Sequence, residues 1–299
     1  MKDGESLFKL KVKKEGSGGP APAAADPKIK KTRGFIMLGL ALGMLLAGLD
    51  GTIVGTSLPH IVAELGGMDL YAWLFTAYLL AETVMIPIGG KLSDRYGRKP
   101  IFLAGMLLFL AGSILAGMSQ SMEELIIFRA VQGLGGGVMM PVTMATVADL
   151  YAPTERGKIQ GMLGAIFAVT SIIGPLIGGF IVDNMDWRWV FYVNVPVGIA
   201  AIAITSFKFP KILVDRSKRI DIAGMALLTI SLLSFLLVLT WGGSTYDWDS
   251  IEIIGLSFIS AVTLVAFIWV EKRAEDPVLP LHLFKEPIFS LGCISLMLM

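Results

Sequence analysis

The feature that most constrains this chain is a repetition of apolar stretches. About 20 apolar residues, rising 1.5 Å each as a helix, cross the roughly 30 Å hydrocarbon core of a bilayer. Eight stretches of that size lie at about 34–57, 71–90, 100–118, 124–148, 160–182, 189–209, 221–242 and 251–270. Lipid offers no hydrogen bonds to a backbone, so runs of this length are expected as helices. The expected fold class is all-α integral membrane. Composition agrees, because 55% of the residues are hydrophobic, only 16% are charged and the mean hydropathy is +0.73, which excludes a soluble globular domain. A ninth apolar run begins after Pro287 and stops at Met299. It is shorter than the roughly 17 residues a span needs, so the chain is expected to be incomplete and to end inside a truncated ninth helix.

Basic residues set the expected orientation, because Lys and Arg near span ends stay on the cytoplasmic side. Apart from Arg129 and Arg188, the bases fall in the tail up to Arg33, between Lys91 and Lys99, at Arg156 and Lys158, between Lys208 and Arg219, and between Lys272 and Lys285. The loops around His60 to Asp69, Ser119 to Glu124 and Asp247 to Glu252 carry acids and no bases. The amino terminus and every even-numbered loop are therefore predicted to be cytoplasmic, in a multi-pass protein of the plasma membrane. Residues 1–33 alternate Lys-rich patches with Gly, Pro and Ala, a composition too polar to bury a core, and read as a disordered cytoplasmic tail.

Several chemistries find no support. Cys293 is the single cysteine, which excludes an internal disulfide and a multi-thiolate metal site. His60 and His282 lie in separate loops and form neither a metal pair nor a triad. Gly133-Leu134-Gly135-Gly136-Gly137 sits inside an apolar run, with no preceding strand and no Lys-Ser/Thr, so it is not a nucleotide loop. No catalytic residue, metal, cofactor or nucleic-acid partner is expected, and the chain does not read as an enzyme.

Function is sought at charges within the spans, since an ionisable group in hydrocarbon is costly unless it faces a partner or a wet cavity. Asp50 lies about seven residues, or roughly 10 Å, before the expected outer end of the first span, and Arg129 lies at about the same depth in the fourth. On neighbouring helices each offsets the other's desolvation, and Gln132 shares the helical face of Arg129. A buried acid with a displaceable cationic partner has the chemistry of a proton and substrate switch, while a static ion pair that locks helix register is the plainer alternative. Glu82, near the middle of the second span, shares a face with Tyr78 and has no base at its depth within that span. It is a candidate for proton binding or for contact with a cationic substrate, or else a protonated acid bonded to a neighbouring helix. Gln132 and Tyr78 are candidate cavity residues.

Between the second and third apolar runs, the stretch from Gly90 to Lys99 reads as a short charged loop able to tie two helix ends together. It resembles the cytoplasmic loop signature of the major facilitator superfamily, G-x-x-x-D-R-x-G-R-K, at Gly90, Asp94, Arg95, Gly97, Arg98 and Lys99. Leu49-Asp50-Gly51-Thr52-Ile53-Val54 with Leu58-Pro59 resembles the first-span signature of the fourteen-span drug/proton antiporters, departing from it at Gly55 and Ser57. Arg129-Ala130-Val131-Gln132-Gly133 matches their fourth-span signature. Gly161, Gly174, Pro175, Gly178 and Gly179 resemble the antiporter helix of the fifth span, with Thr170 where a second Gly is usual. Pro175 is expected to bend that helix, and the glycines at 174, 178 and 179 to admit a close neighbour.

The resemblance implies a proton-coupling role for Arg129 and a cytoplasmic gate built from the Gly90 to Lys99 loop with Asp149. It implies an amino-terminal six-helix bundle over 34–210, made of two three-helix units related as an inverted repeat. Two additional membrane helices and their linkers follow over 211–285, and the truncated ninth helix over 286–299. The function implied is a secondary active, proton-coupled multidrug exporter working by alternating access. Its partners would be the lipid bilayer, protons, amphiphilic small molecules with cations among them, and a missing carboxy-terminal bundle. A non-transporting half-bundle that assembles with or regulates another carrier is the alternative.

Overall fold

The computed structural model describes residues 27–209, 221–274 and 276–298. The elements are α1 (Pro27–Leu65), α2 (Trp73–Tyr96), α3 (Arg98–Met118), α4 (Met122–Leu150), α5 (Pro153–Asn184), α6 (Trp189–Tyr192), α7 (Asn194–Lys208), α8 (Ile222–Trp241), α9 (Ile251–Glu271), a 3-10 turn (Leu281–Lys285) and α10 (Pro287–Leu298). Eight helical spans among the described residues are long and apolar enough to cross a membrane, α6 and α7 together forming the sixth. The expected tail lies outside the described residues up to residue 26, as does the basic linker from 211 to 219.

Local chemistry explains the element ends. The hydroxyl of Ser121 accepts the Glu124 N–H at 3.3 Å and opens α4, Asp221 accepts the Gly224 N–H at 2.8 Å to open α8, and Ser250 does the same for α9. Pro196 has no N–H to offer the carbonyl one turn back, and the sixth span breaks at Val193 accordingly. At its amino end α1 starts inside the predicted tail, because Pro27 suits a first helical turn and the bases that follow are good helix formers. At its far end it runs through Pro59 to Leu65, beyond the boundary expected at residue 57. A proline forfeits one helical hydrogen bond there, while Ile61 gains full burial.

The stretch from Gly90 to Lys99 is not the loop its composition suggests. Helix α2 continues through Tyr96 and α3 starts at Arg98, leaving Gly97 as the whole connection. Its φ of 100° and ψ of 150° belong to glycine alone, which is why a reversal this tight is affordable here.

α4 lies at the centre, packed against both α2 and α3, while α1 packs against α5 and the sixth span. These pairings map onto one another when the first three spans are exchanged with the next three: α1 on α5 becomes α4 on α2, and α3 on α4 becomes the sixth span on α1. The glycine run of α4 makes the centre dense. A Cβ at Gly133 or Gly137 would strike the carbonyls of Tyr78 and Glu82 on α2, and one at Gly135 would strike Gly105 and Phe109 on α3. Two apolar clusters result, one around Leu40, Met44, Phe102 and Phe109, the other around Ile53, Ile61, Leu125 and Phe191. Asp50 sits on α1 between Leu46 of the first and Ile53 of the second.

Helices α8 and α9 pair through reciprocal bonds in which each of Ser231 and Ser260 donates to the other's carbonyl at 3.1 Å. They reach the bundle at α2. Trp241 meets Trp73 edge to face at 5.9 Å, and at the opposite end Lys91 pairs with Asp276 and donates to the Pro277 carbonyl, both at 2.8 Å.

Candidate functional site

Asp50 and Arg129 meet as an ion pair between α1 and α4, with side chains 0% and 1% exposed. Burying two charges costs several kcal/mol each unless the remaining lone pairs and protons are also matched. Here the carboxylate is fully served. Its Oδ2 accepts from Arg129 Nη1, and its Oδ1 accepts from Gln132 Nε2 at 2.7 Å and Asn194 Nδ2 at 3.2 Å. Arg129 Nη1 also donates to Gln132 Oε1 at 2.8 Å, and its Nε to the Leu74 carbonyl at 3.3 Å. The guanidinium lies over the Tyr78 ring at 4.2 Å, and its Nη2 has no hydrogen-bond partner among the described residues. With α1 extended to Leu65, Asp50 stands roughly 22 Å from that end of its helix, about twice the expected depth.

Gln132 is fully buried and spends both polar atoms inside this network, so it belongs with the charges and is not in the lining of the cavity beside them. Asn194 and Ser113 are network members that sequence reasoning missed. Asn194 donates to Ser113 Oγ at 3.0 Å, and Ser113 donates to the Phe191 carbonyl at 2.8 Å. The available signal was Asn194 itself, an amide inside an apolar span one residue past a helix break.

Beside the network lies a cavity of about 340 Å³. Its walls are mainly apolar, including Met44, Phe75, Met139, Met140 and Phe167, and its polar members are Tyr78, Glu82 and Arg129. The Tyr78 hydroxyl is buried without a hydrogen-bond partner among the described residues. Glu82 is half-buried and makes no ion pair or side-chain hydrogen bond among the described residues. Few polar groups in an apolar cleft is the usual composition of a small-molecule site.

At the α2–α3 junction the charges divide their tasks. Arg98 pairs with Asp94, donates from Nε to Asp149 Oδ2 at 2.9 Å, and bonds Ser93 Oγ at 2.7 Å, so it ties the junction to the end of α4. Lys99 caps the end of the sixth span through the carbonyls of Ser206 and Phe209, at 2.7 and 3.1 Å. Gly90 accepts from Ser93. Arg95 forms no ion pair among the described residues; it reaches the Tyr96 ring at 5.9 Å.

In α5 only part of the glycine pattern meets a neighbour. A Cβ at Gly174 would strike Thr52 of α1, and one at Gly178 would meet Thr56 and Ile53. At Gly161 and Gly179 there is open space, because those positions face away from α1. Gly179 therefore does not join the close approach expected of it. Pro175 is accommodated within a continuous helix. At the other end of the bundle Trp187 is buried and donates to Glu64 Oε2 at 2.8 Å, with Arg188 on Glu64 Oε1 at 2.6 Å. The last turns of α1, unread as helix in the sequence, bring Glu64 there.

The model of the Major Facilitator Superfamily matches residues 40–298. The multidrug transporter protein MdtP and multidrug resistance protein 3, both of Bacillus subtilis, are each 45% identical over 86% of the chain, which covers 48% and 50% of them. The chain thus spans about half the length of these curated relatives. Among solved structures, the human organic anion transporter MFSD10 (TETRAN) superposes with a TM-score of 0.56 at 17% identity, over 78% of this chain and 60% of that one. The xylose transporter XylE from E. coli does so with 0.54 at 15% identity, over 76% and 56%. At such identities the structures speak for the fold alone.

Proposed function

The chain belongs to the Major Facilitator Superfamily, is a multi-pass membrane protein of all-α fold, and on that premise we propose that it is the amino-terminal portion of a fourteen-span, proton-coupled multidrug exporter. Its coverage of about half of two multidrug relatives supports the reading of a portion, with the second bundle contributed by the rest of the carrier. The positive-inside distribution of Lys and Arg supports a cytoplasmic amino terminus, in the plasma membrane, with the α2–α3 junction on the same side.

One observation carries the mechanism: a fully buried acid, held by one guanidinium, beside an apolar cavity. When the helices shift and Arg129 withdraws, the Asp50 carboxylate takes a proton from the open side. Re-forming the pair on the other side expels that proton. The amphiphilic substrate, a cation among others, occupies the cavity in the opposite phase, with Glu82 as its anionic contact or as a second proton carrier. Arg98, with Asp94 and Asp149, holds the cytoplasmic ends of α2, α3 and α4 together in one of the two states and releases them in the other. The paired glycines of α5 let it slide on α1.

The test uses the complete carrier in proteoliposomes, loaded with a cationic dye under an imposed pH gradient. Wild type should move dye against its gradient, and Asp50→Asn should not. Proton-driven transport by Asp50→Asn at the wild-type rate would remove Asp50 from the coupling mechanism.

A further inference from the structure

The cavity holds one polar notch whose parts converge from two helices. A Cβ built on Gly136 of α4 would lie 2.6 Å from the Tyr78 hydroxyl and 3.7 Å from Glu82 Oε1, so the missing side chain makes room for the hydroxyl, with the carboxylate within contact distance. Neither is bonded to the other, and among the described residues the Tyr78 hydroxyl has no partner although Tyr78 is only 4% exposed. Glu82, as a carboxylate, only accepts, and the phenol oxygen accepts as well as donates. A group that brings N–H to both fits the notch. A polar group buried without a partner favours whatever ligand completes it.

The same geometry disfavours a cation without N–H. Quaternary ammonium ions are recognised by the faces of aromatic rings. The face of Tyr78 is already covered by Arg129 at 4.2 Å. The other two rings of the cavity stand against α1, Phe75 at Gly55 and Phe167 at Gly48, two helical turns apart, and serve the apolar body of a ligand. We infer that the Gly136 notch selects amphiphiles whose polar end is a protonated amine with at least one N–H, over quaternary ammonium ions of the same shape, the N–H bridging Glu82 and the Tyr78 hydroxyl. Gly136 is then a specificity-determining residue, since any side chain there fills the notch.

This inference rests on the drug-carrier reading above, and the experiment separates the two. Binding is measured by titration calorimetry on the complete carrier in lipid nanodiscs, with a tertiary amphiphilic amine, fully protonated at the working pH, and its N-methyl quaternary counterpart. Wild type should bind the tertiary ammonium about tenfold tighter, the worth of one charge-assisted hydrogen bond. Tyr78→Phe, which keeps the ring over Arg129, and Gly136→Ala should each bring the preference to within about twofold while the quaternary ion still binds. That retained binding also shows the variants to be folded. Equal wild-type affinity for the two ions overturns the inference and leaves the drug-carrier reading standing, as does a preference that survives in both variants. Failure of wild type to bind either ion, with no dye efflux from proteoliposomes, overturns both.

Discussion

Two charged clusters in this bundle both hold on to α4 and do so by opposite means. At Asp50 and Arg129 every charge is out of solvent and nearly every lone pair is matched, by Gln132 and Asn194 as well as by the ion partner. At the α2–α3 junction Arg98 is 15% exposed, but its partners Asp94 and Asp149 are 57% and 32% exposed. Solvent and salt weaken the second pair and hardly touch the first. The buried cluster is therefore sealed from solvent, while water competes for the ion pairs of the junction. What is fixed at the junction is the backbone, reversed on Gly97 alone.

The strongest way to break this contrast is Arg129→Ala, which strands a buried carboxylate and should cost about 3–5 kcal/mol in the thermal unfolding of the complete carrier. Adding Asp50→Leu should recover most of that loss while dye efflux stays absent, because an apolar pair needs no compensation. Gly97→Ala should cost about 1–3 kcal/mol in the same measurement, since its φ of 100° admits no side chain without strain. That is more than any single charge at the junction contributes. Asn194→Val removes one donor from Asp50 and one from Ser113, and should cost about 1–2 kcal/mol with reduced efflux. The smallest effect belongs to Asp149→Asn, below about 1 kcal/mol, and the difference from wild type should vanish near 1 M salt. A salt-independent loss there would erase the distinction between the two clusters.

Sequence patterns made the spans legible because hydrocarbon imposes a length and a polarity on every element that crosses it. The Asp50–Arg129 encounter was legible for the same reason: two opposite charges at similar depth have few other places to go. Element ends were harder to read. Apolar content marks where lipid is, so it passed over the first turns of α1, which are basic, and its last turns, which carry Pro59, His60 and Glu64 yet pack as helix. The charged stretch from Gly90 read as a loop because polarity and irregular structure are usually correlated, whereas most of it completes α2. Asn194 and the exact use of Gln132 depend on which way a helix face turns after a break, and that is fixed by tertiary packing. The orientation of Gly179 away from α1 has the same origin: in a helix with glycine on two faces, spacing alone does not say which face finds a neighbour.

The length of α1 carries one more consequence. Its 39 residues amount to about 58 Å, nearly twice the thickness of the hydrocarbon layer, so the helix must lean or protrude. It meets the sixth span and the turn before it at two levels, with Glu64 on Trp187 and Arg188 near its carboxy end and Gly39 against Thr205 about a third of the way from its amino end. Helix α1 and the sixth span thus form one blade, and the acid rides on it while the guanidinium rides on α4. A rocking motion that pivots this blade would be magnified along its overhang and felt at the seam with α4, where a displacement of an ångström or two suffices to unmake a hydrogen-bonded pair.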